Sequence, residues 1–310
     1  FFIISGYFLK NLPILDQMKK KGKLLLKPLL FGIFSYFLIS LCLVLYGWLT
    51  NSFLENFGKE SIKFLLRQMI HWPDWLGPFW FLEALFWAFL WTTLFLKLSK
   101  RIAIICAAVL WFLAYLCAPH FFIPLCFWQG ASASLFVYTG AILKGKLQGQ
   151  TLLYLGATSF VISTFYLCIM GHFEILLLSS LTYSKLPDTL ILSFLTSFAI
   201  LAFAYIISKK FSTLSALLSF WGRNTLIVLC LEGIFYHTVP WNHIALWLAP
   251  WTGCEGIVSM TWIAYWNATL ILLIKLIIYL GFILIAHRIY FFRWIFSITD
   301  AGESTCSRKK

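Results

Sequence analysis

The sequence predicts an all-α fold, a polytopic transmembrane helix bundle, on three observations. Hydrophobic residues make up 61% of the 310 and charged residues 11%, against about a quarter charged in a soluble domain. Apolar runs long enough to cross a hydrocarbon core of about 30 Å follow one another with little between them. The basic residues gather in the short links between those runs, where they set orientation in a bilayer.

The chain opens on FFIISGYFLK, whose apolar part ends at Leu9. That stretch makes roughly 13 Å of helix at about 1.5 Å per residue, too little to span alone. The sequence therefore predicts the second half of a helix whose first half lies upstream, and a single integral-membrane domain over residues 1–310 lacking its N-terminal helix. Further runs read as spans at 28–48, 79–96, 102–118, 121–143, 152–170, 189–207, 220–239 and 257–286, which with the partial helix makes nine. The run 121–143 contains Pro124 and Gly130, so a kink or break within the membrane is expected there. Three segments on the opposite side from the lysine-rich links, 50–78, 171–188 and 240–256, are too small to be domains. In the last, Trp241, Trp247 and Trp251 read as an interfacial aromatic belt.

Placing the link KKKGK in the cytoplasm fixes every later link by alternation. Lys10, Lys19, Lys20, Lys21, Lys23, Lys27, Lys97, Lys100, Arg101, Lys144, Lys146, Lys209, Lys210, Arg288, Arg293, Arg308, Lys309 and Lys310 then fall inside. Only Lys59, Lys63, Arg67 and Lys185 fall outside. Eighteen against four supports both the helix count and the orientation, and places the C-terminus in the cytoplasm of a multi-pass inner (plasma) membrane protein.

Composition also narrows the function. A net charge of +13 would draw nucleic acid to a soluble chain, but here the charge sits in short links, so nucleic acid is excluded as a partner and membrane lipid is expected. Of eight cysteines, Cys42, Cys106, Cys117, Cys126, Cys168 and Cys230 lie inside apolar runs, and no CxxC pair occurs. His71, His120, His172, His237 and His243 fall on the outer side without helical metal-ligand spacing, so no metal site is expected. A GxGxxG loop, a P-loop, an HExxH and a GxSxG elbow are all lacking.

The opening FFIISGYFLK, the basic stretch closing on LLLKPLLF, the block GPFWFLEALF and the late GRNTLIVLCLEGIF occur in this order. In order and spacing they resemble the membrane-bound acyltransferase-3 family, and within it the fucose 4-O-acetyltransferase-like branch of bacterial cell-surface sugar acetylases. The resemblance spans nearly the whole chain. It implies a bundle of about ten helices and transfer of an acyl group, usually acetyl from acetyl-CoA, to a sugar hydroxyl. It further implies a catalytic histidine in the helix before the FF-x-x-SG segment, and hence a principal base upstream of Phe1. Acetyl-CoA enters as acyl donor rather than as a bound cofactor, and a saccharide is the acceptor.

Such chemistry needs a base in reach of the attacking hydroxyl, and cations or donors for the oxyanion and the CoA phosphates. Lys19, Lys20, Lys21, Lys23 and Lys27 suit those phosphates, though as a cluster they equally serve to set topology. Lys27 stands apart, because it precedes Pro28 at an expected helix start, where the family motif carries a basic residue before proline. Ser5, Gly6 and Tyr7 permit either close helix packing or a backbone approach to substrate. Trp80 is an interfacial anchor or a sugar platform, and Glu83 is a carboxylate in an apolar helix that needs a cavity or a partner. Arg223, Asn224 and Glu232 share one block. The family pattern commonly closes that block with histidine, so Glu232 is a departure that retains proton-accepting chemistry.

Helical rise puts Glu232 about 14 Å from Arg223 and Lys275 about 18 Å from His287, at similar depth, which predicts a Glu232–Lys275 pair across two helices. The expectation is a membrane O-acetyltransferase with Glu232 catalytic and Lys27, Trp80, Glu83, Arg223 and Asn224 binding substrate. The alternative is a transporter or flippase of a lipid-linked saccharide, which the lack of an internal repeat disfavours.

Overall fold

The computed structural model describes residues 2–10, 12–50, 79–121, 123, 126–146, 149–170, 176–177, 182–183, 188–238 and 260–297. Helices account for nearly all of them: α1 (Phe2–Tyr7), α2 (Ile14–Thr50), α3 (Trp80–Phe95), α4 (Lys100–Cys117), α5 (Phe127–Leu143), α6 (Gln150–Met170), α7 (Asp188–Lys210), α8 (Ser212–Arg223), α9 (Thr225–Thr238), α10 (Met260–Arg288) and α11 (Tyr290–Phe296). Between α6 and α7, β1 (Leu176–Leu177) and β2 (Thr182–Tyr183) pair antiparallel over two residues each. The tryptophan belt and the outer histidines His71, His172 and His243 lie outside the described residues, while His237 falls within α9.

The chain is a multi-pass membrane protein. Four helical stretches among the described residues are long and apolar enough to cross a bilayer, Ile14–Ile39, Lys100–Cys117, Leu190–Lys210 and Thr269–Arg288. A fifth arises if Ser212–Arg223 and Thr225–Phe235 form one broken span. The expected run 220–239 is thus interrupted at Asn224, where a buried polar side chain takes the place of a helical residue.

Two further differences concern the second element and the fifth. The lysine-rich link is helical, because lysine, leucine and glutamine favour helix and the lone Gly22 is too small a penalty to stop it. Lys27 and Pro28 consequently sit inside α2 rather than at a helix start, and the Cys230 thiol donates to the Pro28 carbonyl at 3.4 Å. The expected break in 121–143 falls before α5, at Cys126, whose φ of 50° is left-handed.

Contacts group the chain into two compact units. The first, Phe1–Leu26 with Arg67–Arg223, is built around α5, which touches α1, α3 and α4 and is buried on nearly every side from Gln129 to Gly140. Small residues make this closeness possible. A Cβ on Gly6 would lie 1.8 Å from the Val137 carbonyl oxygen, and one on Gly140 would lie 1.9 Å from that of Ile3, so each glycine seats the other helix's backbone. On α4, Ala103, Ala107, Trp111 and Ala114 form the inward stripe, while Ile104, Ile105, Val109 and Phe112 point outward. Apolar residues outside and small ones inside are what a helix surrounded by lipid requires. The second unit, Lys27–Leu66 with Asn224–Lys310, holds α9, α10, α11 and most of α2. There Phe31 meets Phe292 and Phe296 edge-on, with ring centroids 5.7 and 5.8 Å apart.

Replacing Gly140 by alanine forces α1 off α5 and should cost about 1–3 kcal/mol as overpacking. Gly281→Ala, where an added Cβ meets nothing within 4 Å, is the matched control. Thermal unfolding in detergent is expected to show a clearly lower midpoint for the first and little change for the second.

Candidate functional site

Helices α9 and α10 run through apolar surroundings yet carry polar groups at two levels. On α9 the buried residues Ile227, Cys230, Leu231 and Ile234 recur at helical spacing. On α10, Tyr279, Ile283 and Ala286 do the same. The first level is formed by Asn224, only 5% exposed, whose Oδ1 lies 2.9 Å from His287 Nε2. Because the amide oxygen only accepts, Nε2 carries the proton in that bond and Nδ1 is the basic nitrogen.

The second level is the expected ion pair. Lys275 Nζ lies 2.6 Å from Glu232 Oε1, and the Tyr279 hydroxyl donates to Glu232 Oε2. Both carboxylate oxygens are therefore engaged, by groups one helical turn apart on α10. The Tyr279 ring stacks on Phe235 at 6.3 Å with an interplanar angle of 9°. Bringing an ionised side chain into the bilayer centre costs about 2.5–3.5 kcal/mol, which gives each charge a strong reason to meet the other.

Lys27 belongs to the same unit and does not join either level. Its ammonium lies 3.8 Å above the Trp294 ring, a cation–π contact, while the adjacent Pro28 carbonyl meets Cys230 between the two polar levels. The structure thus gathers Lys27, Asn224 and Glu232 onto α2 and α9 of one unit, with Lys27 turned to an aromatic partner.

The other sequence-predicted residues belong to the first unit. Trp80 starts α3 and packs edge-on against Phe81 at 6.0 Å. Glu83, 6% exposed, accepts a hydrogen bond from the Cys126 thiol at the left-handed turn into α5. That thiol supplies the partner an intramembrane carboxylate demands. Arg223 is exposed at the end of α8, its Nε donating to the Ser219 carbonyl at 3.3 Å. Lys21 lies 3.9 Å above the Phe89 ring. Gly6 serves close packing, as described above. Among the described residues no group of three or more His, Cys, Asp or Glu side chains is placed to hold a metal.

A family model described as an acyltransferase domain matches residues 1–266. The chain belongs to the acyltransferase-3 family. As a member it is a membrane acyltransferase, and the transporter reading finds no support in this match. No curated protein and no solved structure matches the chain. The matched residues contain Lys27, Trp80, Glu83, Arg223, Asn224 and Glu232, whereas Lys275, Tyr279 and His287 lie beyond them. The partners of Glu232 and Asn224 thus come from the part of this acyltransferase that the family pattern leaves open.

Sequence reasoning missed four participants. Tyr279 had a signal, since it stands four residues after Lys275 and so shares its face of α10. His287 also faces α9, but a lone histidine at a helix end carries no such mark. Trp294 and Cys126 are brought to Lys27 and Glu83 by tertiary packing, which no local pattern encodes.

Glu232→Gln and Lys275→Met should each strand the opposite charge and cost about 3 kcal/mol. The double variant should recover most of that loss. Thermal midpoints of the four proteins in one detergent give the coupling, and simple additivity would show that the pair contributes nothing.

Proposed function

We propose that this acyltransferase is an inner-membrane O-acetyltransferase that moves acetyl from acetyl-CoA to a hydroxyl of a cell-surface or exopolysaccharide sugar. The observation that carries the reading is the family match over residues 1–266, supported by the order of the SGYF, WFL and GRNTL segments and their resemblance to the sugar-acetylase branch. On the orientation set by the basic links, the C-terminus is cytoplasmic and acetyl-CoA arrives from that side. In the second unit Lys27, turning from Trp294, serves its phosphates and Asn224 binds substrate; in the first unit Arg223 serves phosphate and Trp80 and Glu83 receive the sugar by stacking and hydrogen bonding.

In the proposed step the sugar oxygen attacks the thioester carbonyl carbon, its proton passes to the catalytic histidine that the family resemblance implies, and the C–S bond breaks to release CoA thiolate, which takes that proton in turn. The pairing of Glu232 with Lys275 and Tyr279 serves this step by positioning an ammonium and a hydroxyl, the kind of donors a developing oxyanion needs.

Membranes from cells making the full chain, incubated with acetyl-labelled acetyl-CoA and candidate glycans, should place label on the glycan. Glu232→Gln should lower that rate by about 10²-fold with the protein still folded, as loss of positioned oxyanion donors does. Uptake of glycan without acetylation would contradict the reading.

A further inference from the structure

Apart from the polar levels on α9 and α10, the first unit holds a cavity of about 500 Å³, within the size range of small-molecule sites. Its walls are apolar: Ile3, Ile4 and Phe8 from the α1 region, Leu143 from α5, Leu152 from α6 and Leu201 from α7. The polar atoms on the lining side chains belong to Tyr7, Tyr205 and Lys209. Two glycines open the space. Gly140 lets α1 and α5 touch backbone to backbone at one end, and Gly149, with φ of 55°, turns the chain into α6 at another. Phe8 is 71% exposed and Lys209 is exposed, so the cavity opens at the surface beside both.

Charge is one-sided at that opening. Lys209 and Lys210 close α7, and Lys144 follows α5. Lys144 is committed, its Nζ donating to the Leu9 carbonyl at 3.0 Å, whereas Lys209 stands 6.0 Å above the Tyr205 ring, a loose contact that leaves it able to turn to an anion. The lining has no histidine, aspartate or glutamate, the side chains that most readily take a proton from an attacking hydroxyl, and an acetyl group is far too small to need such walls. A long hydrocarbon chain with a negative head fits both features.

We propose that this cavity is a binding site for an anionic phospholipid of the surrounding bilayer, one acyl chain lying along Ile4, Leu143 and Leu201 and the phosphate meeting Lys209. Basic pockets between transmembrane helices hold anionic head groups in this way, and on the proposed orientation this end of the helices meets the cytoplasmic leaflet, where such lipids concentrate. The site is separate in its chemistry from acyl transfer, and its test does not read activity.

Native mass spectrometry of the full chain, titrated with phosphatidylglycerol or with phosphatidylethanolamine of the same acyl chains, measures the site directly. Phosphatidylglycerol should be retained more strongly. Lys209→Gln, a change at an exposed position, should weaken its retention by about fivefold, the effect of one juxtamembrane lysine, and weaken that of phosphatidylethanolamine, whose own ammonium offsets its phosphate, much less. Leu201→Trp, which fills the cavity, should weaken both lipids while the thermal midpoint confirms folding. Equal retention of the two lipids with no response to Lys209→Gln would overturn the proposal. Displacement of phosphatidylglycerol by an equimolar long-chain acyl-CoA would also overturn it, by assigning the cavity to a donor.

Discussion

The contact between Glu232 and Lys275 is the constraint on which the second unit depends. In lipid, two apolar helices gain little from meeting, because the tails around them are as apolar as their side chains. Opposite charges at one depth change this, since separating α9 from α10 would leave each exposed to hydrocarbon. The Tyr279 hydroxyl occupies the second carboxylate oxygen, and the Asn224–His287 bond repeats the attachment eight residues away on α9, about 12 Å along its axis. Two fixed points define a register, so neither helix can slide or rotate against the other without breaking one of them.

The first unit solves the same problem by another route. Its central helix bears small residues rather than charges, and α1 meets it with Gly6 and Gly140 seated against each other's neighbouring backbone. Packing of this kind depends on van der Waals contact over a short distance and tolerates no added methyl group. Where a carboxylate does enter this unit, at Glu83, a thiol from the strained turn at Cys126 is delivered to it. A left-handed cysteine persists only because its surroundings hold it there.

Much of the fold was legible because hydropathy is a local property: each run of apolar residues could be read without knowing its neighbours. The Glu232–Lys275 pair was legible for a related reason, as helical rise converts sequence position into depth and the bilayer penalises unmatched charge. The continuity of α2 through Pro28 was not, because the proline signal normally marks a boundary. The interruption at Asn224 had a mark in the polar segment GRNT inside the expected run 220–239, which the apolar residues around it outweighed. Lys27 was expected to serve a phosphate by analogy of motif; its indole partner on α11 depends on how that short helix folds back, which no spacing rule supplies. The family itself was readable from the order of four segments, while Tyr279, the second group on Glu232, was not read.

The α9–α10 arrangement holds a cation and hydrogen-bond donors in place in a medium that opposes charge. The most direct test is rotational-echo double-resonance NMR on the full chain in bilayers, with ¹⁵N in lysine and ¹³C in glutamate carboxyl groups. Contact at 2.6 Å between Nζ and Oε1 should give strong dephasing of one glutamate carboxyl, and that dephasing should vanish in Lys275→Met. A glutamate signal unchanged by that substitution would mean that the two charges do not meet, and the arrangement of α9 on α10 would need another cause.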